Sequence, residues 1–246
     1  MFYNGYAKGG FLPLAAVSED GINFRPRNTA DKYLSSPTLE NQLMEGIGEL
    51  AFVYEDKFAP ESERLKALAT YGDLNKERII CNPLYVSKDG CKWERRPVEW
   101  HSKGAEPGAM CFYNDFLKRH CIIARPDPGV RRVSLIETED FKSFTSPSLV
   151  MTPDSLDEPL AEHYGMPVFP YADIFVGFLW IYHPENQKKR KYWEGKVDAQ
   201  LVYSYNGTNF NRTLREPIFK NDDDDCAGMI FPSFLREEEN RKRTGL

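Results

Sequence analysis

Several acidic residues of the chain stand where a short apolar run begins. Glu49 enters the run "ELAFVY", Glu162 precedes an aromatic run, and Glu106 and Asp225 precede two further runs. An acid is unusual in a buried strand unless its charge is satisfied or the residue is functional. Carboxyl groups held in one site can act as general acids or bases. These acids are therefore candidates for catalysis or binding if the fold brings them together.

The elements that would carry these acids are marked by a phrase that recurs four times. It consists of a Ser or Thr, an Asp or Asn two positions later, then Gly or Phe, and an aromatic residue three positions further on. The copies begin at Ser18, Ser87, Thr138 and Ser204. The hydroxyl and the Asp or Asn side chain can bond the backbone of a tight turn, where Gly permits positive φ. Each copy follows a strand-like run, so it predicts a turn between two strands.

The spacing of the copies fits a propeller blade of about 40–50 residues with insertions. Short apolar runs bounded by Pro, Gly, Asn and Asp precede each copy, and no segment has a helical period. The sequence therefore predicts an all-β fold, a five-bladed β-propeller that is incomplete. We expect about four blades plus one strand, with a single propeller domain over residues 1–235, and a charged tail over residues 236–246.

The two ends do not fit whole blades. The first unit begins inside a strand, so the first blade is expected to lack its first strand. Asp225–Phe234 resembles the first strand of another blade. Either this last strand closes the ring against the first unit, or the chain is a truncated form of a longer protein; we favour truncation.

Composition narrows the classes of partner. The net charge is −5, so nucleic acid and anionic membranes are not expected as partners. The basic run Lys188–Lys191 is read as a solvated loop, and the acidic run Asp222–Asp225 as a solvated turn. No apolar run is long enough to span a bilayer, and no signal peptide is visible, which leaves both a cytoplasmic and a secreted location open.

The five cysteines show no spacing typical of metal sites, and the four histidines are scattered. No metal site and no cofactor are expected. The odd number of cysteines favours free thiols. Cys111 and Cys121 flank a predicted hairpin, and a disulfide between them across that hairpin is the alternative.

The blade-closing phrase, the segment "PESERLKALATY" and the segment "HYGMPVFPYADIFVGFLWIYH" resemble one group of enzymes. These are the five-bladed propeller glycosidases of glycosyl hydrolase families 32 and 43, which include β-fructosidases and arabinanases. The chain looks most similar to bacterial proteins that resemble the N-terminal domain of family 32. The resemblance covers nearly the whole chain as a blade pattern rather than through catalytic signatures.

That resemblance implies a central funnel lined by the beginnings of the innermost strands. Glycoside hydrolysis pairs a carboxylic acid that protonates the leaving oxygen with an opposed carboxylate. By similarity to the family motifs, Glu162 is expected to be the general acid and Glu106 the residue that stabilises the transition state. The expected substrate-binding residues are Glu49, His163, Tyr164, Arg125 and Asp225. The nucleophile is not identified, because the strand that carries it in the family is absent here.

The residues leave a second function open. Glu162 and Glu106 also suit exposed loop acids, and Arg125 suits a structural salt bridge as well as a contact in the funnel. Clustered acids on the innermost strands favour a hydrolase that cleaves O-glycosidic bonds. The missing first strand favours a non-catalytic propeller that binds glycans or other partners, or an inactive truncated glycosidase.

Overall fold

The structure is a computed structural model that describes residues 1–7, 10–45, 48–72, 80–102, 109–127, 131–184 and 195–219. The first sheet contains β1 (Phe2–Ala7), β2 (Gly10–Val17) and β3 (Arg25–Pro26). The second contains β4 (Glu49–Glu55), β5 (Leu65–Gly72), β6 (Ile80–Cys81), β7 (Pro83–Ser87) and β8 (Glu94–Glu99). The third contains β9 (Met110–Asn114), β10 (Arg119–Ala124), β11 (Val133–Thr138) and β12 (Ser148–Met151).

The fourth sheet contains β13 (Glu162–Gly165), β14 (Val168–Tyr171), β15 (Ile174–Pro184), β16 (Gly195–Ser204) and β17 (Asn211–Phe219). Neighbouring strands in every sheet are antiparallel. The described helices are one turn each, α1 (Ala30–Tyr33) and a 3-10 turn (Glu61–Glu63). None of the helices in the described ranges has the length and apolar character that crossing a bilayer requires. The all-β prediction is confirmed.

The recurring phrase forms the same turn in all four sheets, as predicted. The Ser or Thr hydroxyl accepts the backbone N–H three residues later, each time at 2.9 Å. The Asp or Asn side chain accepts the N–H groups two and three residues after itself. These backbone bonds stabilise the ionised form, so they lower the pKa of the three acids, Asp20, Asp89 and Asp140.

The fourth position of every turn has positive φ, at Gly21, Gly90, Phe141 and Gly207. Phe141 is the exception to the glycine rule, since a side chain at φ 57° is strained. Its ring is buried in the core between the second and third sheets. Burial of that ring offsets the strain of its backbone.

The sheets pack face to face around a hub, which makes them the blades of a propeller. One apolar core lies between each pair of consecutive sheets. Strands near the hub contact each other in order from sheet to sheet: β1 with β4, β4 with β9, and β9 with β14. The described residues thus form four blades. A fifth blade was expected from Asp225–Phe234, which lies outside the described residues, so that number stays a prediction.

In blades two to four, the phrase follows the third strand counted from the hub. In the first sheet it follows β2, the second of three described strands. β1 and β2 therefore correspond to the second and third strands of the other blades, which fits the expectation of an incomplete propeller.

The cysteine pair shows how strand alternation decides contacts. Cys111 of β9 faces the core between blades two and three, whereas Cys121 of β10 faces the core between blades three and four. Both are free thiols, and burial raises the pKa of each, that of Cys121 to about 12. The alternative of a disulfide across this hairpin was wrong, because the two side chains lie on opposite faces of the sheet.

Candidate functional site

The innermost strands β4, β9 and β13 all begin at the same end of the propeller, which we call the entry end; the opposite end is the exit end. Antiparallel pairing returns other chain segments to the entry end. Arg125 directly follows β10, and Arg131 lies two residues before β11. The entry end therefore collects residues from the beginnings of innermost strands and from the ends of the strands beside them.

A buried ion pair joins blades three and four at the entry end. Nη1 of Arg131 donates a hydrogen bond to Oε2 of Glu162 at 2.6 Å, and their side chains are only 8% and 6% exposed. The backbone of the same two segments is also linked, since the N–H of His163 donates to the carbonyl of Arg131. Charge-assisted hydrogen bonds of this length are strong and hold both partners in place.

Tyr164 lies beside this pair with two guanidinium groups over its ring. The centre of the Arg125 guanidinium is 4.7 Å from the ring centroid, and that of Arg131 is 4.8 Å away. Arg131 is also 4.7 Å from the ring centroid of Tyr182, which pairs with Glu162 across β13 and β15. Cation–π contacts of this kind fix the orientation of both the arginines and the rings.

The carbonyl of Arg125 is held from blade two. Nε2 of His101 lies 2.7 Å from it, and because a carbonyl can only accept, this nitrogen carries the proton. His101 is buried. It therefore fixes the segment from which the Arg125 side chain extends toward Tyr164.

The structure brings together three of the site residues predicted from the sequence, Arg125, Glu162 and Tyr164. Glu49 opens β4 at the same end but on blade two, where it pairs with Thr70. His163 is fully buried, because alternation along β13 points its ring to the opposite side of the strand from Glu162 and Tyr164. Glu106 and Asp225 lie outside the described residues. The roles of all these residues stay predictions.

Sequence reasoning missed Arg131, His101 and Tyr182. Arg131 and Arg132 directly precede the apolar run of β11. Two charged residues at the beginning of a buried strand were a usable signal of a functional or paired site. His101 and Tyr182 gave none, because each looks like an ordinary member of a strand end and only the packing of neighbouring blades shows its contact.

A cavity of about 360 Å³ lies on the hub. Its walls come from β1, β4, the beginning of β9, and blade four through Pro167 and Trp180. Trp180 pairs with Gly165, the residue after Tyr164, so the cavity adjoins the strand that carries the arginine–tyrosine group. A concave space with aromatic walls beside converging polar groups is the usual form of a ligand site.

Comparison with protein-family models gives no match to this sequence, and comparison with curated proteins gives none either. Solved structures do match. One match comes from glycoside hydrolase family 130, a family of mannoside phosphorylases that contains hydrolases targeting β-1,2-mannosidic linkages in Candida mannan. Its TM-score is 0.64 at 16% identity, and the match covers 94% of this chain and 72% of that one. The chain shares its fold with glycoside hydrolases.

Two further matches agree. A glycosyl hydrolase from Bacteroides ovatus has a TM-score of 0.62 at 15% identity, covering 90% of this chain and 68% of that one. A thermostable family 43 glycoside hydrolase has a TM-score of 0.58 at 11% identity, covering 92% of this chain and 76% of that one. At these identities the likeness establishes the fold. The finer expectation of a family 32 relative stays a prediction.

Proposed function

We propose that this chain is a glycoside hydrolase-like protein that binds carbohydrate at the entry end and hydrolyses O-glycosidic bonds. The observation that carries the proposal is the group formed by Arg125, Arg131, Glu162 and Tyr164, on a strand that pairs with Trp180 of the hub cavity. Guanidinium and carboxylate groups supply the donors and acceptors that sugar hydroxyls need, and a tyrosine ring supplies an apolar face. The fold shared with glycoside hydrolases supports the same conclusion.

In the hydrolytic form of the proposal, Glu162 protonates the leaving oxygen and Glu106 stabilises the positive charge of the transition state. A second carboxylate must attack the sugar or activate water, and it is not assigned. Glu162 must turn its carboxyl group toward the leaving oxygen to act as an acid, whereas Arg131 holds Oε2 of that group at 2.6 Å. Substrate binding must therefore loosen the contact between Arg131 and Glu162.

The same ion pair favours a second candidate, a propeller that binds carbohydrate without cleaving it. A carboxyl group that Arg131 holds in place offers its oxygens as acceptors for sugar hydroxyls, which is sufficient for binding. In that case Glu162 contributes to affinity and not to turnover.

A binding screen and a hydrolysis screen on the same preparation separate the two candidates. The binding screen uses a glycan array with thermal shift, and the hydrolysis screen uses aryl arabinosides, fructose-containing oligosaccharides and β-1,2-linked mannosides. We expect at least one glycan to bind. We expect Glu162→Gln to reduce hydrolysis by about 10²-fold or more, the contribution typical of a general acid.

Glu158→Gln is the matched control, since Glu158 is an exposed acid four residues upstream. Binding without hydrolysis in the wild type would favour the non-catalytic candidate. Hydrolysis that survives Glu162→Gln unchanged would remove Glu162 from the mechanism, and the absence of any bound glycan would contradict both candidates.

A further inference from the structure

The connection from β12 to β13, residues 152–161, carries three acids that each face a basic side chain on blade four. Asp154 forms a bidentate pair with Arg215, and Glu158 lies 3.0 Å from Nδ1 of His183. The third, Asp157, has its Oδ1 2.5 Å from Nη1 of Arg212. This connection leads directly into the strand that begins with Glu162.

Asp157 differs from the other two acids in burial. Its side chain is 5% exposed and that of Arg212 is 8% exposed, whereas Asp154 is 48% exposed and Glu158 is 74% exposed. Exposed pairs contribute little, while a buried charge must keep its partner. Asp157 is therefore the acid that can fix the connection to blade four.

The buried pair reaches β13 through His163. Nε2 of His163 lies 3.8 Å from Oδ2 of Asp157, and neither ring nitrogen has a hydrogen-bond partner among the described residues. The ring is thus enclosed between the acid and the core. Nη1 of Arg215 lies 3.6 Å from Asp157 on its other side.

Two faces of one short strand are thereby held by different groups. His163 faces the Asp157 side, and Glu162 and Tyr164 face the arginines. β13 is also held by its pairing with β15 and by the hydrogen bond from the N–H of His163 to the carbonyl of Arg131, and the Asp157 side adds a contact from the connection before it. A shift of the Asp157 side would move Glu162 and Tyr164 on the other side.

We infer that Asp157 is a positioning residue whose buried pair with Arg212 fixes β13 and so sets where Glu162 and Tyr164 stand at the entry end. The importance of that position rests on the proposed function. The effect of Asp157 on the position of β13 does not depend on that function, so it can be measured without any ligand.

Hydrogen exchange followed by mass spectrometry tests the structural part. In Asp157→Asn we expect exchange in the peptide over residues 160–166 to rise about tenfold through local opening, with the peptide over residues 65–71 of β5 unchanged. Asp154→Asn, the exposed acid three residues earlier, is the control and should leave both peptides unchanged. An unchanged 160–166 peptide in Asp157→Asn, or an equal rise in both peptides, would overturn the inference.

Arg212→Lys covers the case in which Asp157→Asn does not fold. It keeps the positive charge and loses the planar fork, so we expect a smaller rise confined to residues 160–166. Exchange in that peptide equal to the wild type would contradict the inference.

Binding of the glycan found in the array tests the functional part. We expect Asp157→Asn to weaken that binding by about tenfold or more, because small displacements of a positioned group are costly. Asp154→Asn should bind like the wild type. If the wild-type protein binds no glycan, the proposed function fails, while the exchange result still decides the structural inference.

Discussion

Two buried charge clusters lie between blades, at opposite ends of the propeller. One lies between blades two and three at the exit end and contains Asp56, Lys66 and His120, all buried. The other lies between blades three and four at the entry end and contains Asp157, Arg212 and His163. Each has one acid, one cation and one histidine, so their differences show what a buried charge requires.

The cations differ most. Nζ of Lys66 lies 3.9 Å from Asp56 and 3.6 Å from Glu63, both beyond hydrogen-bond distance. Burial lowers the pKa of Lys66 despite these two acids. A lysine can release its proton when buried, whereas an arginine keeps its charge. The charge of Lys66 is therefore disfavoured by burial, whereas Arg212 stays charged and needs a nearby acid.

The two acids are alike in accepting a backbone N–H, which for Asp157 is that of Asp154 at 2.9 Å. Asp56 accepts the backbone N–H of Phe58 at 3.0 Å, in addition to its contact with Lys66. His120 has a further partner in the hydroxyl of Tyr54, 3.1 Å from Nδ1. Both clusters use neutral groups, since Arg212 also donates two hydrogen bonds to the side-chain oxygen of Gln200. What distinguishes the entry-end cluster is the short contact between its buried acid and its buried cation. A short contact between two buried charges suits a positioning role.

The largest expected effect comes from removing each acid in turn. Asp157→Asn leaves the buried Arg212 with the neutral amide of Gln200 but without its carboxylate partner, and it should lower the free energy of unfolding by about 3–5 kcal/mol. Asp56→Asn should cost only about 1–3 kcal/mol, because its contact with Lys66 is longer and Lys66 keeps Glu63 nearby. Urea unfolding of the two variants measures both values. Equal losses would mean that the identity of the cation does not matter.

Acid should weaken the entry-end cluster through its histidine. Burial, together with the charge of Arg212, lowers the pKa of His163 from 6.5 to about 4. The unfolded chain therefore binds this proton at higher pH than the folded chain, so the contribution of His163 to stability falls as the pH drops from 6.5 toward 4. The loss is about 3 kcal/mol at most.

Between pH 6.5 and 4, the free energy of unfolding should change less with pH in His163→Gln than in the wild type. His120→Gln should also reduce this pH dependence, since burial lowers the pKa of His120 too. His183 has the opposite sign: the carboxylate of Asp198 raises its pKa, so its contribution is lost as the pH rises. A wild-type slope retained in His163→Gln would show that this ring is already solvated.

The smallest effect should come from the exposed acid of the same connection. Asp154→Asn removes a bidentate contact with Arg215, but water screens that pair. We expect no measurable change in the urea midpoint. A loss approaching that of Asp157→Asn would show that charge and not burial distinguishes the two acids.

The blade turns could be predicted because their chemistry is local. A hydroxyl, a carboxyl or amide group and a residue at positive φ complete the turn within six residues, whatever the rest of the chain does. Four such turns, each preceded by a strand, imply repeated sheets and hence a propeller. The same reasoning placed Glu162 and Tyr164 at the beginning of a blade.

The partners of these residues could not be predicted in the same way. Arg131 meets Glu162, and Asp157 meets Arg212, only because neighbouring blades pack in one register. Cys111 and Cys121 illustrate the same limit. Successive residues of a strand point to opposite faces of the sheet, and the register of the hairpin sends these two thiols into different cores. The sequence by itself determined the repeated turn and the sheet that follows it, because those bonds close between near neighbours in the chain. The tertiary structure alone decided which charges share a buried space, because that depends on the packing of whole sheets against each other.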